Sequence, residues 1–322
     1  MHVALLLKRI RATLVCCLLG AAIPVPALAA EPWLIVVPTA AQGSTDILSR
    51  ELARQLVRVL GESVQTGNLP GKSGMIAARK VFASAPDSQR LLMATVSSHA
   101  IAMGLPEPAG YRPGDFTPIA MIGTAPYLLV VANASPYTSV QTLVAAARNG
   151  ALEYSSTGTG GPHHLVGELF AQKANVNLVH RPYKGGAAAL EAVMGGKVQM
   201  MLPAAVLALP KMRDGSVRVL ATTGARRSPR IPDVPTMAEA GLPGFEADSW
   251  YVLEGPPGMA QTDVRRVSEA VAVALRDSSF TKVLRENGVD PGGMPRESIA
   301  AFLDAEARKW GALVTTLKIV PE

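Results

Sequence analysis

The sequence predicts an α/β protein built from two units. Three observations carry this expectation. Short apolar runs alternate with stretches of helical spacing, the alternation starts afresh after about residue 127, and 322 residues are enough for two cores. The first run is Leu34-Ile35-Val36-Val37, stopped by Pro38 and read as a buried strand. Ile47, Leu48, Leu52, Leu56, Val59 and Leu60 then recur at helical spacing up to Gly61. Ser63 to Thr66 reads as a second strand. Asn68 to Gly74 is a turn into a helix over 75–84, and Leu91 to Val96 is a third strand ending at Ser97-Ser98-His99. Such alternation predicts a parallel sheet.

The second unit follows the same logic. Strands are expected at Tyr127–Val131, Leu152–Ser155, Val176–Val179, Val198–Leu202 and Val217–Ala221, with helices over 139–148, 165–174 and 187–194. After proline-rich connections, Trp250–Leu253 reads as a strand. Helices over 263–277, 280–287 and 297–317 close the chain. The expected boundaries are residues 1–29 as an export signal, 30–127 plus 253–322 as one domain, and 128–252 as the other.

Residues 1–29 have the order of a secretory signal: Lys8, Arg9 and Arg11, an apolar stretch over 12–22, then Ala27-Leu28-Ala29, with cleavage expected after Ala29. Both cysteines, Cys16 and Cys17, fall inside it. The mature chain then has no disulfide, thiol nucleophile or thiolate metal site. No later segment reaches spanning length, so the expected location is the periplasm. Hydrophobic content of 48% and charged content of 17% exclude a disordered chain. A net charge of +6 is no argument for nucleic acid and is compatible with a small anionic ligand.

Two strand-to-helix loops are candidate sites. Thr39-Ala40-Ala41-Gln42-Gly43-Ser44-Thr45-Asp46 would present helix amides and hydroxyls to an oxyanion, or merely cap its own helix. Ser156-Thr157-Gly158-Thr159-Gly160-Gly161, followed by His164, is denser in glycine and hydroxyl than a turn needs, which favours binding. It matches neither a dinucleotide fingerprint nor a Walker loop. Ser97, Ser98 and Tyr183 are weaker candidates for the same cleft. The histidines lack metal-ligand spacing, and Gly-x-Ser-x-Gly is absent, so no catalytic residue, metal or cofactor is expected.

These residues together resemble the Bug/TctC family, the extracytoplasmic solute receptors of tripartite tricarboxylate transporters. The resemblance runs through nearly the whole mature chain. It rests on Val37-Pro38 with Gly43-Ser44-Thr45-Asp46-x-x-x-Arg50, Asn68-x-Pro70-Gly71-x-Ser73-Gly74, Ser156-Thr157-Gly158-x-Gly160-x-x-x-His164-Leu165, Pro182-Tyr183-Lys184-Gly185-Gly186, and Pro232-Asp233-Val234-Pro235-Thr236. It implies a type II periplasmic-binding-protein fold, with two α/β domains around a ligand cleft joined by crossover strands. It also implies that Thr39–Asp46 and Ser156–Gly161 grip a carboxylate, with Asp46 orienting the amino or water end of some ligands. Dicarboxylates, aromatic carboxylates and nicotinate-like compounds are the ligands such receptors take. Three departures stand out: Thr39 where an aromatic is usual, Gln42 where the first of two glycines is usual, and Gly161 where a hydroxyl is common.

The leading expectation is a monomeric binding protein that delivers its ligand to integral-membrane subunits of a tripartite tricarboxylate transporter, or an orphan receptor without such subunits. The alternatives are a sensor subunit presenting its loaded form to a membrane kinase, and a secreted hydrolase using Ser156 and His164.

Overall fold

Trp33-Leu34-Ile35-Val36-Val37 is apolar at every position because both its faces are covered. Trp33, Ile35 and Val37 enter one core and Val36 the opposite one. The computed structural model describes residues 31–318. The expected export signal, with Cys16 and Cys17, lies outside the described residues. No described helix is long and apolar enough to cross a membrane.

Strand β1 (Trp33–Val37) leads into α1 (Ser44–Leu60), which the left-handed Gly61 ends. Strand β2 (Val64–Asn68), helix α2 (Met75–Phe82), strand β3 (Arg90–Thr95) and the four-residue α3 (Val96–His99) follow. Strand β4 (Thr117–Pro126) passes through Tyr127 into β5 (Leu128–Ala132). Then come α4 (Val140–Asn149), β6 (Leu152–Ser156), α5 (Pro162–Ala174), β7 (Leu178–Pro182), α6 (Gly186–Met194) and β8 (Met200–Met201). Helix α7 (Ala205–Arg213), β9 (Val217–Thr222) and β10 (Asp248–Gly255) precede α8 (Gln261–Ala274), α9 (Ser278–Glu286), β11 (Asp290–Pro291) and α10 (Arg296–Leu317).

Two sheets result. One runs β11-β4-β10-β3-β1-β2 and the other β7-β6-β8-β5-β9. Neither is wholly parallel, which corrects the expectation from the strand–helix alternation. β1, β2 and β3 pair in parallel, as do β6, β7 and β8. The return strand β10 is antiparallel to both β3 and β4, and β5 is antiparallel to β8 and β9. β4 carries the chain out of the first sheet and β10 brings it back alongside, so these two neighbours run in opposite directions. The returning strand β10 pairs with β4 from Asp248 onward.

The 22-residue α10 packs Ile299, Leu303, Trp310 and Leu313 into a core shared by both sheets. Its anchor is Glu306, whose Oε2 accepts the indole N–H of Trp250 on β10 and of Trp310, each at 3.0 Å. At the crossing, the Thr223 hydroxyl accepts the Tyr127 N–H at 2.9 Å and donates to the Ala247 carbonyl. One side chain thus clips together the outgoing and returning segments.

Candidate functional site

The carboxyl ends of β1, β2 and β3 meet at Gly74. A Cβ there would stand 3.0 Å from the Ser98 Cβ and 3.1 Å from the Pro38 Cβ, so these turns pack around a missing side chain. In open α/β sheets, ligands bind outside these strand ends.

The first loop runs from Pro38 to Ser44. Helix α1 starts on Gly43 with no side-chain cap, so its first-turn amides are left to solvent or a ligand. Ala41, Gln42 and Gly43 are exposed, Ser44 is half-buried, and Thr45 is buried. Asp46 turns back onto its own loop. Its Oδ2 accepts from the Gln42 N–H at 2.9 Å and from Arg50 at 3.0 Å, and its Oδ1 accepts from Asn68 at 3.0 Å. Burial pushes this carboxyl upward, but the bonds from Arg50, Gln42 and Asn68 outweigh it and hold the group below the usual range. Asn68 also donates to the Thr39 carbonyl at 3.0 Å. The Thr39 hydroxyl is buried and has no hydrogen-bond partner.

The Asp46 bond holds Gln42 at φ 69°, a conformation that glycine adopts freely.

The second loop joins β6 to α5. This helix also starts on a glycine, Gly161, without a side-chain cap, and Pro162 occupies its first turn. Three histidines, His163, His164 and His180, lie against the loop. The Ala204 N–H donates to His163 Nε2 at 3.4 Å. A neutral His163 then carries its proton on Nδ1, which faces the Thr157 hydroxyl at 2.9 Å. Thr157 accepts that proton and keeps its own O–H to donate elsewhere. His164 accepts the Gly160 N–H on Nδ1 at 3.0 Å and stacks on His180 with ring centroids 3.8 Å apart. Burial pushes the pKa of both His163 and His164 down to about 4, with the neighbouring His180 adding to the effect at His164.

Ser156 is engaged within the loop. Its Oγ stands 2.6 Å from His180 Nε2, accepts the Gly158 N–H at 3.1 Å and faces the Gly158 carbonyl at 3.0 Å. The structure therefore pairs Ser156 with His180 and not with His164, against the pairing that the hydrolase alternative requires. Thr159 and Gly161 are half-buried beside it. Ser98 is fully buried: its hydroxyl bonds the Thr95 backbone in a capping box and lies 3.1 Å from His99 Nδ1, while Ser97 is half-buried. The Tyr183 N–H donates to the Ser156 carbonyl at 3.0 Å, and its ring packs against the core under α6 and α7.

Spacing along the chain offers no reason to place His180 beside Ser156 or Ala204 beside His163, because β7 and the turn after β8 reach the loop only through sheet pairing. Asn68 and Arg50 were legible as parts of motifs, though not as the residues that hold Asp46. Among the described residues, no group of three or more His, Asp or Glu is placed to hold a metal ion.

Two mixed α/β sheets joined by crossing strands, with uncapped helix starts at strand ends, define the architecture of an extracytoplasmic solute receptor. Residues 48–319 match the family model described as tripartite tricarboxylate transporter family receptor, and the chain belongs to that family. The protein BugT of Bordetella pertussis is 30% identical over 301 residues, covering 92% of each chain. An R. palustris protein solved with adipate is 34% identical, with a TM-score of 0.78, and covers 92% of this chain and 100% of its own. MatC from Rhodopseudomonas palustris, solved with bound malate, is 29% identical, with a TM-score of 0.73 and coverage of 88% and 98%.

Proposed function

We propose that this protein is a periplasmic receptor that captures a small dicarboxylate between the Thr39–Asp46 and Ser156–Gly161 loops. It would deliver that ligand, chemically unchanged, to integral-membrane transporter subunits. The observation that carries this reading is shared by the two loops: each ends on an uncapped glycine at a helix start. Two such starts supply amides and positive dipole ends for two carboxylates. Similarity to proteins solved with adipate and malate supports the same ligand class.

The side chains fit a donor array. Thr157, accepting from His163, has its hydroxyl proton free for a carboxylate oxygen. The unpartnered Thr39 hydroxyl is a further donor. Asp46 acts here by fixing the first loop, since both its oxygens are already bonded. Each hydrogen bond to a charged group contributes about 1.5–3 kcal/mol, so four or so donors give roughly micromolar affinity. Binding the closed arrangement more tightly than the open one would shift the population toward closure about the Thr223 clip.

Calorimetry with succinate, malate and adipate tests this. Thr157→Val keeps the shape and removes the donor, and is expected to weaken binding by roughly 10- to 100-fold; it also takes the acceptor from His163 Nδ1–H, so the melting temperature falls by a few degrees while the protein stays folded. Unchanged affinity in that variant, or no binding of any of the three acids, would refute the reading.

A further inference from the structure

A groove of about 520 Å³ lies where the chain crosses between the sheets, away from the two loops described above. It is lined by Gly224, Arg226, Arg227, Asp248, Arg285 and Asp290, among others. Arg226 and Arg285 are exposed, and Arg227 pairs with Glu239. Behind this lining Arg230 donates through Nη2 to Asp290 at 3.0 Å and to the Val289 carbonyl at 2.9 Å, while its Nε and Nη1 are buried without partners. Asp248 Oδ1 is likewise buried and unpartnered. It faces Gly224, where even a Cβ would stand 3.6 Å from that oxygen.

Buried polar atoms without partners are costly, and here they come in two kinds. The guanidinium groups call for an anion, whereas the Asp248 carboxylate repels one unless a proton lies between them. We propose that this groove is a second ligand site, taking a small oxyanion that brings its own O–H. Inorganic phosphate is the simplest member of the class. Its oxygens would meet the arginines and its O–H would donate to Asp248 Oδ1. Sulfate has no O–H at neutral pH and would bind only with Asp248 protonated.

The charged groups around Asp248 are Lys309 and Glu306 on α10, Glu246 before β10, and Asp290 on β11. Burial, reinforced by Glu306, Glu246 and Asp290 and opposed by Lys309, raises its pKa to about 7. An aprotic anion is therefore excluded progressively as pH rises above neutrality. The site also adjoins the crossing between the sheets. Gly224 follows Thr223 and Asp248 follows Ala247, the residues joined by the Thr223 hydroxyl. An occupant would hold both crossing segments and bias the angle between the sheets.

The test is calorimetry at pH 8 in a phosphate-free buffer, with inorganic phosphate and with sulfate, and no carboxylate present. The wild-type protein is expected to bind phosphate at least about tenfold more tightly than sulfate, the factor that one charge-assisted hydrogen bond supplies. Arg285→Ala should weaken phosphate by about tenfold. Asp248→Asn, whose amide can donate, should bring the two anions to similar affinity. Thr157→Val should leave phosphate binding unchanged. Absence of phosphate binding, equal affinities in the wild type, discrimination surviving in Asp248→Asn, or loss of phosphate in Thr157→Val would each overturn the proposal. None of these outcomes bears on dicarboxylate binding, so the two readings fail separately.

Discussion

Lowering the pH from 7.5 to 5.0 sets two parts of the molecule against each other. His163 and His164 have pKa values near 4 in the fold, against about 6.5 in an unfolded chain. In this window the unfolded chain binds more protons, so stability present above pH 6.5 is lost as pH falls. Between pH 7.5 and 5.0 the loss is about 2 kcal/mol for each histidine. Asp248 works in the opposite sense. Its folded pKa of about 7 lies above the unfolded value, so the fold binds the extra proton and gains about 2 kcal/mol over the same interval. The wild-type protein should therefore lose only about 2 kcal/mol. Removing one side exposes the other: Asp248→Asn should lose about 4 kcal/mol, whereas His163→Gln/His164→Gln should gain about 2 kcal/mol. Urea unfolding at both pH values in phosphate-free buffers reads this directly. If Asp248→Asn and the wild type respond alike, or the double histidine variant still weakens on acidification, the assignment of buried neutral histidines and a buried protonated aspartate is wrong.

Three further outcomes follow from particular contacts. Gln42→Gly should be more stable than Gln42→Ala by about 1 kcal/mol in chemical denaturation, because only alanine keeps the left-handed cost at φ 69°. Glu306→Ala leaves two indole N–H groups buried without an acceptor and should cost about 2–5 kcal/mol, whereas Glu306→Gln keeps an acceptor and should cost less than half of that. Gly167→Ala would drive a Cβ to within 2.2 Å of the Tyr154 ring, displacing the ring from Glu168, and should lower stability by about 2 kcal/mol or more.

Much of the fold was legible in the sequence where periodicity acts locally. α1, α4, α6 and α10 begin and end within a few residues of their hydrophobic stripes, and β1, β3 and β9 within one. The misses are also physical. β4 contains Pro118, Gly123 and Pro126, which read as breakers. It survives because β10 pairs with it through two register shifts. α7 carries Pro210 in its interior and has little amphipathic contrast, so no period marks it. Strand direction was misread because it is set by which sheet a strand returns to, which local pattern does not encode. At the candidate site, hydroxyl and glycine density pointed to the loops. The pairing of Ser156 with His180 depends on β7, which only folding brings alongside, and the contact of Thr157 with His163 depends on how the loop turns into α5.

The position of β10 has a consequence for how the chain acquires its shape. It lies between β4 and β3, so half of the six-stranded sheet stays unpaired until residue 255 has arrived. An N-terminal fragment holding β1 through β4 has a gap at its centre and cannot close its own core. Such late completion slows folding, since the decisive pairings join residues more than a hundred apart. Strand β4, and β11 beyond it, therefore wait for a partner made more than a hundred residues later before they join the sheet that β1, β2 and β3 begin.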